Sequence, residues 1–321
     1  MKAIRYTAAT TAVLVYALIV LGAVVRTTNS GLSCPDWPTC YGHWVPLPSD
    51  LEAVPNLGYT YLQVMLEWVH RLIAGVFVGP LVLALGVMTL RRRNENPGLA
   101  LAGGLLVFLL LIQGALGGLT VLDGNSPWSV AIHLGTALLV LTVTLRILVG
   151  ASTWPVTGAP AALLVPTVLS WFLALLAMLS AAVTAKSGAS LACATWPLCN
   201  GEFVPDLGDE FVRINFTHRV LAALTGGALL FLLWRSRALD DLPEGLRRLV
   251  ALAACLVVLE IGLGALVILL QVPTWKAVLH QAVGVLTFAV VTLILWRCVP
   301  AASGAGDPKL GGTDGLALRR A

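Results

Sequence analysis

Two six-residue runs, LEWVHR at Leu66–Arg71 and INFTHR at Ile214–Arg219, each put a histidine and an arginine at the edge of a long apolar stretch. Polar side chains at membrane depth are costly and usually face a functional interior. The chain has 5 histidines, and four of them, His70, His133, His218 and His280, lie a short way inside apolar segments. His70 falls about eight residues into its segment and His133 about five, so at ~1.5 Å per residue both sit roughly 8–12 Å below the same end. His218 and His280 repeat this placement. Two neutral imidazoles on facing helices, with no cysteine or carboxylate cluster to complete a tetrahedron, suit the axial positions of a haem iron better than zinc. Each pair marks a candidate haem pocket; interhelical hydrogen bonding is the bland alternative.

The pairs differ in their neighbours. Glu67 stands three residues before His70, on the same helical face, whereas Asn215 stands three before His218. A carboxylate in a poorly solvated pocket can exchange protons near neutral pH, as oxidation of a bound organic group requires; otherwise it hydrogen-bonds a neighbouring helix or a ligand histidine. Arg71 and Arg219, about 100° further round, can snorkel to haem propionates or anchor at headgroups. Glu260 falls mid-segment where the first copy has Gln113, and its role stays open. Gly75, Gly79, Gly114, Gly118, Gly135, Gly262, Gly264 and Gly284 either admit a flat macrocycle or serve helix packing. His43 lies among turn residues and is read as solvated.

Two loops share a second pattern, CPDWPTCYGHWVP from Cys34 and CATWPLCNGEFVP from Cys193, at an offset of 159. The offset falls to 148 between His70 and His218 and 147 between His133 and His280, as expected if the second loop is shorter. The chain is a tandem repeat. Cys34–Cys40 and Cys193–Cys199 are read as disulfides in an oxidising compartment; zinc binding and thiol–disulfide exchange are the rivals. Cys255 and Cys298 read as buried thiols.

The elements that must position these residues follow from composition. The chain has 321 residues, 58% hydrophobic and 11% charged, with a mean hydropathy of +0.89, far more apolar than a soluble domain. A span needs about 20 apolar residues. Eight segments qualify, near 7–26, 62–90, 99–120, 128–149, 161–183, 211–235, 249–270 and 275–297. The first imitates a signal peptide, with Lys2 and Arg5 ahead of it, but its length and the poor cleavage site at Val24–Arg26 keep it a helix. The fold class is all-α integral membrane, two tandem four-helix bundles related by a pseudo-twofold axis along the membrane normal. Residues 1–150 form one bundle, 151–300 the other, and 301–321 a disordered cytoplasmic tail. Fourteen of the 20 Lys and Arg fall on one side, among them Arg91, Arg92, Arg93, Arg247 and Arg248. Both termini are then cytoplasmic and the cysteine loops outside. The net charge of +4 reports topology and gives no sign of nucleic-acid binding.

From Ser30 through Trp296 the chain resembles the haem A synthase family, in its bacterial form with two cysteine pairs. The resemblance rests on the SGLSCPDWP loop, the Glu-x-x-His-Arg run on the second span, and histidines on the fourth, sixth and eighth. It implies an oxidoreductase of the cell membrane that oxidises a ring methyl of haem O to the formyl of haem A, through hydroxylated intermediates, for cytochrome oxidase assembly. It further implies substrate haem at His70 and His133 with Glu67 catalytic, a resident haem b between His218 and His280, and a disulfide at Cys34 and Cys40 implicated in activity. Glu260 departs from the glutamine-like residue the family leads one to expect. Haem O synthase and oxidase assembly factors are the partners implied, and a homo-oligomer is left open. A diheme electron-transfer protein accounts for the histidines but not for the one-sided carboxylate; a transporter would need broken helices that the sequence lacks.

Overall fold

The computed structural model describes residues 1–152 and 161–299. The linker between the halves and the tail at 301–321 lie outside these residues. Among the described residues eight helices are long and apolar enough to cross a membrane: α1 Lys2–Thr27, α2 Tyr61–Leu90, α3 Pro97–Leu122, α4 Pro127–Gly150, α5 Ala161–Lys186, α6 Glu210–Arg237, α7 Glu244–Leu269 and α8 Thr274–Cys298. Each matches an expected segment.

Their starts are chemically marked. Thr60 accepts from the Gln63 amide while the Gln63 side chain accepts from the Thr60 amide, a capping box that begins α2. Asn96 and Ser126 cap α3 and α4, each followed by a proline whose missing N–H costs nothing in the first turn. Asp209 caps α6.

Within the first half α1 packs on α2 and α4, α2 on α3, and α3 on α4; in the second, α5 packs on α6 and α8, α6 on α7, and α7 on α8. The halves meet where α1 contacts α8 and where α4 contacts α5 and α8. One apolar core runs through this junction, from Ile19, Leu138 and Leu141 to Met178 and Phe288; another, around Leu229, Leu232, Val257 and Ile294, fills the second half. Side-chain donors tie the junction: Trp296 Nε1 to Thr142 O at 2.9 Å, Tyr16 Oη to Ala282 O at 3.1 Å, and Arg26 Nη2 to Gln281 Oε1 at 2.7 Å.

Helix α2 is not uniform. Ile73–Val78 form a π turn in which the Gly79 amide donates to Ala74 O, five residues back. Pro80 has no N–H to give, so the α ladder is interrupted at Gly79–Pro80, inside a span that the sequence reading takes as unbroken, and the wider turn takes up one extra residue. Its counterpart α6 is α-helical throughout, with Gly227 in the equivalent place. The repeat offset is 148 at His70 and already 147 at the ends of α2 and α6, Leu90 and Arg237. A shorter second loop therefore explains the drop from 159 to 148, but the last step is an insertion inside a helix.

Candidate functional site

Both disulfides are formed, Cys34–Cys40 and Cys193–Cys199. Each closes a compact loop at one end of the bundle, with Cys40 bridged to His43 and Cys199 to Glu202 through paired backbone bonds. The turns need left-handed residues, supplied by Tyr41–Gly42 and Asn200–Gly201. Asp36 organises the first loop: Oδ1 accepts from the Tyr41 amide at 2.6 Å, and Oδ2 from the Gly42 amide at 2.9 Å and from the Thr39 hydroxyl. Partial burial works to raise its pKa, but these donors outweigh it and hold the carboxyl below the usual range. Trp37 lies against Gly118 of α3, where an added Cβ would stand 3.2 Å from the indole. His43 is half exposed, its Nδ1 3.8 Å from Asp50.

The arginines after the histidines fasten these loops. Arg71 Nη1 donates to Asp36 O at 2.5 Å and Thr39 O at 2.7 Å, and Nη2 to Cys34 O at 2.9 Å. Nη2 also reaches Glu67 Oε1 at 2.6 Å, and Glu67 Oε2 accepts from the Ser33 hydroxyl at 3.0 Å and the Cys34 amide at 2.9 Å. Glu67 is 4% exposed, and its Oε2 ties helix to loop while its Oε1 holds Arg71 one turn on. In the second half Arg219 donates to Cys193 O at 2.5 Å and Thr195 O at 2.7 Å, with Nε on Asn215 Oδ1 at 2.9 Å. Asn215 Nδ2 donates to Ala189 O and Ser190 O. The architecture is shared and the polarity is reversed: Glu67 collects protons from its loop, Asn215 gives them.

His70 is within electrostatic reach of His133, and His218 of His280. Among the described residues no three of His, Cys, Asp and Glu come together as a metal cluster, so each half offers a pair of imidazoles. The rings are hemmed by glycines: a Cβ on Gly22 would lie 3.4 Å from His70 Nε2, on Gly117 3.4 Å from His133 Cε1, and on Gly264 3.1 Å from His280 Cε1. Gly75, Gly114 and Gly262 border open space, while Gly135 meets Leu179 and Gly284 meets Glu260 and Met178.

The imidazoles of the second half are oriented by neighbours. Ser180 Oγ lies 3.1 Å from His218 Nδ1. Glu260 Oε1 stands 3.0 Å from His280 Nδ1, within ion-pair range although off the line of a hydrogen bond, and its Oε2 is buried without a partner. The Nδ1 of His218 is thus engaged, which leaves its Nε2 for a metal. In the first half Gln113 Nε2 approaches both His133 nitrogens at 3.3 Å, leaving Gln113 Oε1 buried and unpaired. Paired imidazoles with small neighbours are the residues that could hold a haem iron in each half. Ser33 and Asp36 fall in the SGLSCPDWP run, which assigns them no role, and Ser180 carries no sequence signal beyond its equivalence to an unlike residue, Leu21, in the other copy. Cys298 is buried as expected, but Cys255 is exposed on the outer face of α7.

Residues 5–292 match the family model COX15-CtaA, described as cytochrome oxidase assembly protein. Similar proteins named Heme A synthase include one from Shewanella oneidensis, 30% identical over 87% of this chain and 93% of its own length. Another, from Symbiobacterium thermophilum, is 33% identical over 83% and 86%. A third, from Methylobacterium radiotolerans, is 31% identical over 95% and 93%.

Proposed function

Because this chain belongs to the COX15-CtaA family and so serves haem A biosynthesis in a membrane, we propose that it is the oxidoreductase that converts the ring methyl of haem O to a formyl group. The observation that carries this reading is Glu67, a buried carboxylate three residues before His70 where the second half has Asn215; the second pair has a different carboxylate, Glu260, 3.0 Å from His280 Nδ1. Residues 1–150 hold the substrate haem O at His70 and His133, and 151–300 hold a resident haem b at His218 and His280. The halves are related by a pseudo-twofold axis along the membrane normal.

With water as oxygen source, methyl plus water gives formyl plus four protons and four electrons, by way of hydroxylated intermediates. When bound between His218 and His280, haem b supplies reversible one-electron transfer. Glu67 takes up or relays protons from the substrate pocket; the Ser33 hydroxyl, Cys34 amide and Arg71 guanidinium hold its carboxylate in place. Arg71 and Arg219 keep the cysteine loops closed over the pockets, and a propionate contact would exchange one of these carbonyl bonds. The positive-inside pattern puts the cysteine loops on the outer face and both termini in the cytoplasm of a bacterial cell. Haem O synthase and oxidase assembly factors are the natural sources and recipients of its ligands.

The test is chromatography of pigments from membranes of cells expressing the chain with a haem O supply. Haem A and its alcohol precursor are expected. Two unmodified haems held tightly and no haem A would instead establish a diheme carrier, the reading favoured by the near-identical arginine clamps in the two halves.

A further inference from the structure

A groove of about 760 Å³ opens on the flank of the bundle between α4, α5 and α6. Its length is apolar, lined by residues such as Leu139, Leu175 and Leu179, and its loop-side end carries Glu210, Arg213 and Thr217. Ser180, in its wall, stands 3.1 Å from His218 Nδ1, and Thr217 directly precedes His218. The groove thus runs from the lipid-facing surface to the hydrogen-bond partner of a proposed haem ligand.

Loose packing alone would leave the same groove at the equivalent seam, where α8 and α1 meet beside α2. The repeat offsets identify its residues, and larger side chains and cross-seam bonds stand there. Gly135 becomes Ala282, Leu175 becomes Tyr16 and Ser180 becomes Leu21. Tyr16 spans the seam, its hydroxyl donating to Ala282 O at 3.1 Å. Arg26 and Gln281 stitch it nearer the loops at 2.7 Å, where the groove has Ala185 and Leu134. Glu210, Arg213 and Thr217 become Leu62, Met65 and Val69. One seam is bridged by side-chain hydrogen bonds, the other is a groove with a polar end.

We propose that this groove binds an isoprenoid quinone that accepts the electrons of methyl oxidation. An apolar channel holding a chain, with a few convergent polar groups at one end, is the usual form of a site for an amphiphilic small molecule. Arg213, whose Nη1 donates to Leu207 O at 2.9 Å, keeps further N–H donors for a quinone carbonyl oxygen; the Thr217 hydroxyl donates to Arg213 O at 2.8 Å and would have to turn to serve a second, and Glu210 sits with them. That acid offsets the arginine, so the polar end matches a neutral head in preference to a phosphate. Each quinone takes two electrons and two protons, its two C=O groups becoming C–OH; two quinones balance one methyl-to-formyl conversion. The inference rests on the haem reading of His218 and His280.

The test uses the full-length protein purified with its resident haem, reduced anaerobically and mixed with decylubiquinone in a stopped-flow spectrophotometer. Rapid oxidation of the haem is expected for the wild type. Gly135→Ala with Leu175→Tyr, which copies the bridged seam, should slow it at least 10-fold with haem content and reduced spectrum unchanged. Should that variant lose haem, Arg213→Leu with Thr217→Val should give the same slowing. The proposal is overturned by a wild type that decylubiquinone does not oxidise, by groove variants that keep the wild-type rate, or by a co-purifying phospholipid that decylubiquinone fails to displace. Quinone-dependent oxidation without haem A formation would support the groove and defeat the synthase reading. Haem A formation with oxidation indifferent to the groove would do the reverse.

Discussion

Glu67 Oε1 lies 2.6 Å from Arg71 Nη2, one turn along the same helix, and its second oxygen receives Ser33 and the Cys34 amide from the loop above. The acid proposed to move protons is therefore also a structural tie. Glu67→Gln keeps shape and most of these contacts while removing the ionisable group. Resident haem should stay at wild-type stoichiometry while haem A output falls by about 10²–10⁴-fold, the usual worth of a general acid–base. Pigment chromatography decides it; undiminished haem A would remove Glu67 from the chemistry.

The two arginine clamps predict unequal costs. Replacing Arg71 by Met leaves a buried carboxylate without its counter-ion, worth about 3–5 kcal/mol. Replacing Arg219 by Met leaves neutral Asn215 and several carbonyls short of donors, worth about 1–3 kcal/mol. Thermal unfolding of the purified protein, followed by tryptophan fluorescence, should show the larger loss for the first. Equal losses would mean that Glu67 is not held as an anion.

Glu260→Gln makes the second half resemble the first, where Gln113 faces His133. Loss of the charge beside His280 Nδ1 should weaken resident haem by roughly 10–100-fold, the usual size of an effect from a group that supports a metal ligand. Haem retention through dilution and a redox titration read this directly. An unchanged affinity and potential would make Glu260 a packing residue.

Asp36 gives the loop a sign-definite response to acid. Its folded pKa lies below the unfolded value, so its contribution is complete above about pH 3.9 and is lost as pH falls through the lower folded value. Reduction of Cys34–Cys40 by a water-soluble phosphine should quicken across that interval. In Asp36→Asn it should be quick at every pH, while Cys193–Cys199, whose loop has Thr195 at that place, serves as the internal control.

Much of this was legible in residue types alone. Apolar length gave the eight spans to within a few residues, because a bilayer imposes a minimum and a helix has one rise. Matched depth brought His70 to His133 and His218 to His280. What escaped was direction: nothing in Glu-x-x-His-Arg says that Arg71 turns up to Asp36 O and Thr39 O, because loop carbonyls have no sequence signature. Glu260 was visible as an oddity, but its approach to His280 depends on how α7 and α8 pack. Ser180 was invisible, since serines in apolar helices commonly bond their own backbone.

The wide turn at Ile73–Val78 has a consequence for tolerance to change. A residue lost from an apolar helix ordinarily turns everything beyond it by about 100°. Here the surplus is already stored, so excising one of these six residues together with Pro80→Ala would tighten the coil and leave Glu67 and His70 in phase with Leu85 below. Shortening α6 by one residue would have no such slack to draw on.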